Sequence, residues 1–254
     1  DVFNGKEYIV NDKDKIKILG NFSLYDSTIT SIKRFILNKD VTTCEYMFRD
    51  CKNLTTITFL SFDTSKVTDM RLMFYGLKKT KSLNFPEDID TSKVTNMNSM
   101  FAHFNESGSS GSGYLDLTKF DVSNVTDMNC TFEYCRNMAT LDISGWDTSN
   151  VTDMYGMFSN GGGGNNIIGL EGLNVSNVTN MGIMMAGHTF TNLDLSKWKT
   201  NNLLRMDRLF IDCNIETLDI TGFDTRKLED TNNPYGGHYS FLQHVPSTCI
   251  VKIN

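Results

Sequence analysis

Four aspartates occupy the same place in a recurring apolar-acid-apolar triplet: Leu115-Asp116-Leu117, Leu141-Asp142-Ile143, Leu193-Asp194-Leu195 and Leu218-Asp219-Ile220. Alternation of this kind is the pattern of a strand with one buried face, so each carboxylate points to the open face. The corresponding positions of other copies carry Thr58, Asn84 and Gly169. The strands of Asp194 and Asp219 are expected to be neighbours, which brings the two acids within about 5 Å, where like charges repel. An acidic stripe of this kind could hold a basic protein surface or a divalent cation. Calcium gathers about six to eight oxygens, and one carboxylate per strand is thin for it, so no metal is expected. The plainer alternative is a solvated strand face whose acids bond neighbouring Ser or Thr. Asp116, Asp142, Asp194 and Asp219 are the candidate partner-binding residues.

Other residue types capable of chemistry are either repeated or isolated. A second acidic series, Asp63, Asp90, Asp121, Asp147 and Asp224, follows a large apolar residue (Ile89 before Asp90, an aromatic before the others) and precedes Thr or Val, a setting for local turn bonding. His238, His244 and Cys249 are the one grouping that could suggest a metal, and their spacing matches no zinc pattern. The run Gly161–Gly164 lacks the Gly-Lys-Ser/Thr that a phosphate loop requires. Ser and Thr are abundant, but each belongs to a repeat position, and a residue present in every copy is better explained by structure than by catalysis. The sequence therefore predicts no enzyme and no cofactor. Cys51, Cys135 and Cys213 each stand three residues after a repeat Phe, in copies that are not adjacent, so they read as buried free thiols. Asn-x-Ser/Thr occurs at Asn21, Asn53, Asn105, Asn124, Asn129, Asn150, Asn174 and Asn177, and in a eukaryotic secretory route only those expected to be exposed, such as Asn105, could carry glycan.

The elements that position these residues follow from a single repeat. Asp147-Thr148-Ser149-Asn150-Val151-Thr152-Asp153-Met154, then Met157-Phe158, is the clearest copy. Aligned copies place Val41, Val67, Val94, Val125, Val151, Val178, Leu203 and Leu228 at one position, in steps of 25 to 31 residues. A period of that size means a solenoid, whose coils bury their apolar faces only against one another. Before each Asp-Thr-Ser lies Leu-x-x-Leu-x-Leu, as in Met138/Leu141/Ile143, which reads as a short strand. After it, apolar residues at three- and four-residue spacing (Val151, Met154, Met157, Phe158) predict up to two helical turns, with Ser149 or Asn150 as N-cap and Asp153 in the first turn.

The expected fold is thus an α/β repeat solenoid, a leucine-rich-repeat horseshoe with short parallel strands on the concave face and short helices on the convex face. Residues 1–29 read as an N-terminal cap containing a hairpin of Glu7–Val10 against Lys15–Leu19. Residues 30–230 read as an array of about eight coils, and 231–254 as a C-terminal cap with a strand at Cys249–Ile253. Residues 105–113, Asn-Glu-Ser-Gly-Ser-Ser-Gly-Ser-Gly, resemble a flexible linker.

A net charge of -6 argues against a nucleic-acid partner, which needs clustered Lys and Arg. No apolar run reaches the roughly eighteen residues of a membrane-spanning helix. The chain starts at Asp1 without a signal peptide, the pattern of a mature form whose targeting segment has been removed.

The full repeat, Leu-x-x-Leu-Asp-Leu-Ser-x-Trp/Phe-Asp-Thr-Ser-x-Val-Thr-Asp-Met-x-x-Met-Phe, best seen at Met138–Phe158, resembles the BspA-like leucine-rich repeat surface proteins. It is similar in particular to their branch described as mycoplasma lipoprotein repeats. Val-Thr-Asp/Asn-Met recurs at 67–70, 94–97, 125–128, 151–154 and 178–181, whereas Leu203-Leu204-Arg205-Met206 and Leu228-Glu229-Asp230-Thr231 depart from it. The resemblance implies a secreted or surface-anchored, non-enzymatic protein that attaches to host matrix or to neighbouring cells. The expected partner is a protein or glycan on another cell. The rival expectation is an assembly protein that packs with copies of itself in a surface layer or larger particle.

Overall fold

Each copy of the repeat sends the same side chains inward, and the chain stacks them like upon like. The structure is a computed structural model describing residues 2–3, 6–12, 15–18, 23–37, 39–161, 166–228 and 240–253. Val67, Val94, Val125, Val151 and Val178 are all fully buried, as are the methionines three residues after each. Phe48, Phe74, Phe101, Phe132 and Phe158 form a stacked column, with ring centroids 5.4 to 5.7 Å apart and planes within 13°. Burial of one such ring contributes roughly 1.5–3 kcal/mol, so the columns are a main source of cohesion.

The alternating apolar pairs lie in strands. In chain order these are β1 (Val2–Phe3), β2 (Lys6–Asp12), β3 (Lys15–Ile18), β4 (Ser31–Leu37), β5 (Thr56–Phe62) and β6 (Gly113–Asp116). They continue with β7 (Met138–Asp142), β8 (Asn166–Ile168), β9 (Thr189–Asp194), β10 (Asn214–Asp219) and β11 (Ile250–Lys252). Strands β1, β2 and β3 are antiparallel neighbours, and from β3 to β5 pairing is parallel. Of the hairpin expected near the N-terminus, Lys13, Asp14 and Leu19 lie outside the described residues. The strand wall is divided into three sheets, β1-β2-β3-β4-β5, β6-β7-β8 and β9-β10-β11.

The expected convex helices are absent, and the leucine-rich-repeat horseshoe is corrected to a parallel β-solenoid. Among the described residues the sole helical element is a 3-10 turn at Leu170–Gly172. Where two helical turns were expected, Met154, Gly156, Phe158 and Asn160 donate their N–H groups to Asn180, Gly182, Met184 and Ala186 of the next coil. The residues between them, Met157, Ser159 and Gly161, donate back three residues to Met154, Gly156 and Phe158. Single-residue parallel bridges join Thr43, Asp69, Asn96, Asp127, Asp153, Asn180 and Arg205, one from each of seven consecutive coils.

Backbone handedness explains why no helix forms. The residues five and nine places after each Val have positive φ: Tyr46 and Asp50, Leu72 and Gly76, Ser99 and His103, Cys130 and Tyr134, Gly156 and Asn160, Ile183 and Gly187, Arg208 and Asp212. A left-handed residue every four positions unwinds the right-handed coil, so the chain advances along the wall instead of turning on itself. Each non-glycine residue there costs about 1–2 kcal/mol. A two-turn helix is well short of the roughly twelve to fifteen residues that sustain one alone, whereas the stack satisfies the same donors from a neighbour already in place.

The Asp-Thr-Ser-Asn turn does more than cap itself. Asp147 Oδ1 accepts the Ser149 N–H at 3.0 Å, Thr148 Oγ1 donates forward to Asn174 O at 2.9 Å, and Asn150 Nδ2 donates backward to Ser123 O at 2.7 Å. Thr64, Thr91 and Thr200 repeat the forward bond, and Asn124, Asn177 and Asn202 the backward one. Repeat residues expected to bond locally thus tie coil to coil.

The linker reading of 105–113 is also corrected, because this segment is an ordered loop laid across two coils. Asn105 is fully buried, and its Nδ2 donates to Ser112 Oγ and Asn137 O. Asn137 returns bonds to the carbonyls of Asn105 and Glu106. Gly108 and Gly113 are needed for close approach: a Cβ would stand 2.0 Å from Asn105 Oδ1 at the first and 2.5 Å from Met138 Sδ at the second. Asn105, expected to be exposed to glycosylation, is inaccessible.

The last coil is longer than the others. Leu228 makes the turn bond typical of the Val position, to Thr225 O at 3.2 Å. Its two left-handed residues, Ser240 and His244, follow twelve and sixteen places later rather than five and nine. The extra residues fall within 229–239, outside the described residues.

Candidate functional site

The four candidate aspartates stand in two pairs. Asp116 is in register with Asp142 across β6 and β7, and Asp194 with Asp219 across β9 and β10. Between the pairs the wall carries Ile168, which is the register partner of Asp142, rather than Gly169. Each acid bonds its own turn: Asp116 Oδ1 accepts from Thr118 N and Oγ1, Asp142 from Ser144 N, Asp194 from Ser196 N, and Asp219 from Thr221 N and Oγ1. These bonds hold the carboxyls of Asp116, Asp194 and Asp219 below the usual range, the side-chain hydroxyl acting first and the backbone N–H next. Lys252 Nζ lies 3.4 Å from Asp219 Oδ2. One oxygen of each acid serves the turn, the second oxygen of Asp219 is turned to Lys252, and of the four acids only Asp194 is exposed, the others being half-buried. Among the described residues no three His, Cys, Asp or Glu come together in a metal-holding group.

His244 Nδ1 lies 2.5 Å from Asp212 Oδ1, Cys249 is half-buried, and His238 lies outside the described residues. The cysteines share a structural column with a histidine. Cys135 Sγ and Cys213 Sγ donate to Phe101 O and Met185 O of the preceding coil, and buried His188 Nε2 lies 2.5 Å from Phe158 O in the same way. Facing a carbonyl, that nitrogen carries the ring proton. Burial pushes the Cys135 thiol up to about 12 and Cys213 to about 11, and it lowers the His188 pKa. Inert thiols and a neutral histidine follow. Gly161 interrupts this column, and a small apolar void lined by Cys135, Met138, Phe158 and His188 falls there.

Sequence reasoning missed a strip of aromatic and cationic side chains outside the ladder wall of the first four coils. Arg49 lies over three rings, its guanidinium carbon 5.3 Å from the centroid of Tyr46, 5.4 Å from Tyr75 and 5.7 Å from Tyr25. Tyr75 meets His103 edge-on at 5.2 Å, and His103 stacks on Tyr134 at 4.8 Å with planes 3° apart. Arg136 lies over Tyr134 at 4.7 Å. Carboxylates accompany the strip: Glu45 pairs with Arg71, and Glu106 with both Lys78 at 2.6 Å and His103 at 3.1 Å. Glu106 is held below its usual range because these bonds together outweigh its burial. Tyr46, His103 and Tyr134 occupy left-handed positions, and Tyr25 is 53% exposed. The only signal in the sequence was these residues' departure from the repeat, since later coils place Gly156, Asn160 and Gly187 at the equivalent positions.

Comparison with known proteins places the repeat in one family. The family model described as Mycoplasma protein of unknown function, DUF285, matches residues 22–110, 111–169 and 165–248. Neither the curated proteins nor the solved structures contain a match.

Proposed function

The chain belongs to the DUF285 family of Mycoplasma proteins, and we propose that it serves as an extracellular, non-enzymatic binding module that attaches to a protein or glycan of another cell. The observation that carries this reading is the aromatic and cationic strip, an outward-facing set of residues that the stack itself does not require. Tyr and Arg are the residues in which binding energy concentrates at interfaces. A framework tied coil to coil by backbone and side-chain bonds would hold such groups with little ordering cost on binding. The carboxylates of Asp116, Asp142 and Asp194, with Asp219 beside its Lys252 partner, offer a secondary contact on the strand wall. No helix among the described residues is long and apolar enough to cross a membrane. Kinship with BspA-like surface proteins belongs to this proposal and rests on the wording of the repeat, since the coil lacks the helices of a leucine-rich-repeat horseshoe.

The reading is tested by saturable binding of labelled protein to intact host cells, before and after treatment with protease or glycosidase. Saturable binding abolished by either enzyme supports it, and purely linear, non-saturable uptake removes it. Self-assembly is a second reading, favoured by Ile250 and Ile253 on the last coil, 62% and 70% exposed. Light scattering after size exclusion over a concentration series separates the two, because an assembling protein gains mass with concentration.

A further inference from the structure

We propose that the strip from Tyr25 to Arg136 docks an extended, acidic polypeptide segment, which it meets with ring edges, hydroxyls and guanidinium groups. This rests on the binding-module reading and names its partner class.

Three observations carry the proposal. The first is backbone strain without a structural need. Tyr46, His103 and Tyr134 have φ of 61°, 60° and 58°, a region where a bulky side chain is unfavourable. Sibling coils make the same turn with Gly156, Gly187 and Asn160, so the fold accepts the cheaper residues. Leu72, Ile183 and Arg208 carry the same strain elsewhere in the stack, so what sets the strip apart is that three aromatic rings take these positions within the first four coils, a clustering of strained residues of the kind found where a molecule meets its partner.

The second observation is which part of each ring is free. A sugar binds an aromatic residue by laying its C–H groups on the ring face, where the quadrupole is negative. Two of the rings are already engaged by neighbours. Tyr134 has His103 stacked on it at 4.8 Å and Arg136 at 4.7 Å. Tyr46 has both Arg49 and Arg71 within 5.7 Å of its centroid. What these two rings offer a partner is chiefly edges and polar termini, which suit the amides and carboxylates of a polypeptide better than a pyranose.

The third observation is charge. Arg49, Arg71 and Lys78 have carboxylate partners in Asp50, Glu45 and Glu106, whereas Arg136 is exposed and has none among the described residues. An Asp or Glu of the docked segment would complete it. From Tyr25 to Arg136 the strip crosses about four coil spacings, roughly 19 Å, a distance that about six extended residues span.

The test selects peptides from a displayed library of random fifteen-residue sequences on the wild-type protein. Their affinities are then measured on wild type, on the triple variant Tyr46→Gly, His103→Gly, Tyr134→Asn, and on Arg136→Glu. The expected result is peptides enriched in Asp and Glu that lose tenfold or more on both variants. The triple variant is expected to melt no lower than wild type, because it adopts residues of sibling coils and relieves left-handed strain. A markedly lower melting temperature would show that the strip serves stability, and would overturn the proposal. So would a failure to enrich any peptide, or peptides that bind the triple variant as tightly as wild type. Neutral oligosaccharides on a glycan array that bind wild type and not the triple variant would overturn the polypeptide class while leaving the binding module intact. Host-cell binding unchanged in the triple variant would likewise remove the strip and retain the module.

Discussion

The two walls of the solenoid are built from the same coils yet differ in continuity. The strand wall is broken into three sheets, first at the coil of Leu83-Asn84-Phe85, which keeps a single bridge from Thr58 to Asn84, and again beyond β8. The ladder wall runs unbroken through seven coils, from Thr43 to Arg205. Within the bridged coils the 105–113 insertion enters on the strand side, where lengthening a loop has a modest entropic cost, and the extra residues of the last coil come only after the final bridge at Arg205. Within those coils every second N–H on the ladder side is given to the next coil, so an insertion there would orphan donors in two coils at once. Coherence of the stack therefore resides in the ladder and its adjoining turns, with the strands as its more variable partner.

The sharpest way to break this comparison is to cut the phenylalanine column. Phe101→Ala should destabilise by about 3–5 kcal/mol, read from the urea midpoint at unchanged slope, and by more than Leu141→Ala on the strand wall. Equal losses would erase the distinction between the walls. A smaller effect is expected from Gly222→Ala at a turn leaving the strand wall. Its Cβ would stand 2.2 Å from Ser196 O and 2.4 Å from Trp198 O, and overpacking of this sort costs about 1–3 kcal/mol. A melting temperature within a degree of wild type would show that this turn yields freely.

Next comes the forward clasp. Thr148→Val removes one bond to the following coil and should cost about 0.5–1.5 kcal/mol. The low end is favoured because Val122 and Val175 already stand buried at this position in flanking coils. A stabilised variant would show that the clasp contributes nothing. The smallest effect is confined to acid. Burial lowers the His188 pKa, so as pH falls below about 6.5 the unfolded chain takes up a proton before the folded one. The stability that depends on His188 is full above that pH and lost as pH falls below it. The depressed carboxyls of Asp116, Asp194 and Asp219 act only at lower pH. Replacing His188 with Cys, the residue its column uses at Cys135 and Cys213, should flatten the drop in melting temperature between pH 7 and pH 5. An unchanged drop would place the acid sensitivity elsewhere.

Much of the coil was legible in the sequence, and the failure on its outer wall has an identifiable source. Val, Met, Met and Phe at helical spacing do point inward, but three- and four-residue spacing is also what a chain of short turns produces when each turn returns to the wall. One signal was available. The position nine after each Val carries Asp50, Gly76, His103, Tyr134, Asn160, Gly187 and Asp212, types that are mostly tolerant of left-handed backbone. The position five after, with Leu72, Cys130 and Ile183, gives no such warning. Asn105 misled for a similar reason: a Ser/Gly loop looks solvated in sequence, and its burial depends on Asn137 of another coil.

The sequence by itself determined the repeat, its register, the inward columns and the turns, because each is a local pattern that recurs until chance is excluded. It also revealed the acids at 116, 142, 194 and 219. Only the tertiary structure decided whether the second half of each coil winds as a helix or advances as a ladder, since that choice turns on donors supplied by the neighbouring coil. It alone gathered Tyr25, Arg49, Tyr75, His103, Tyr134 and Arg136 into one strip. Those residues come from different coils, and no pattern along the chain records which side chains a stack lays side by side.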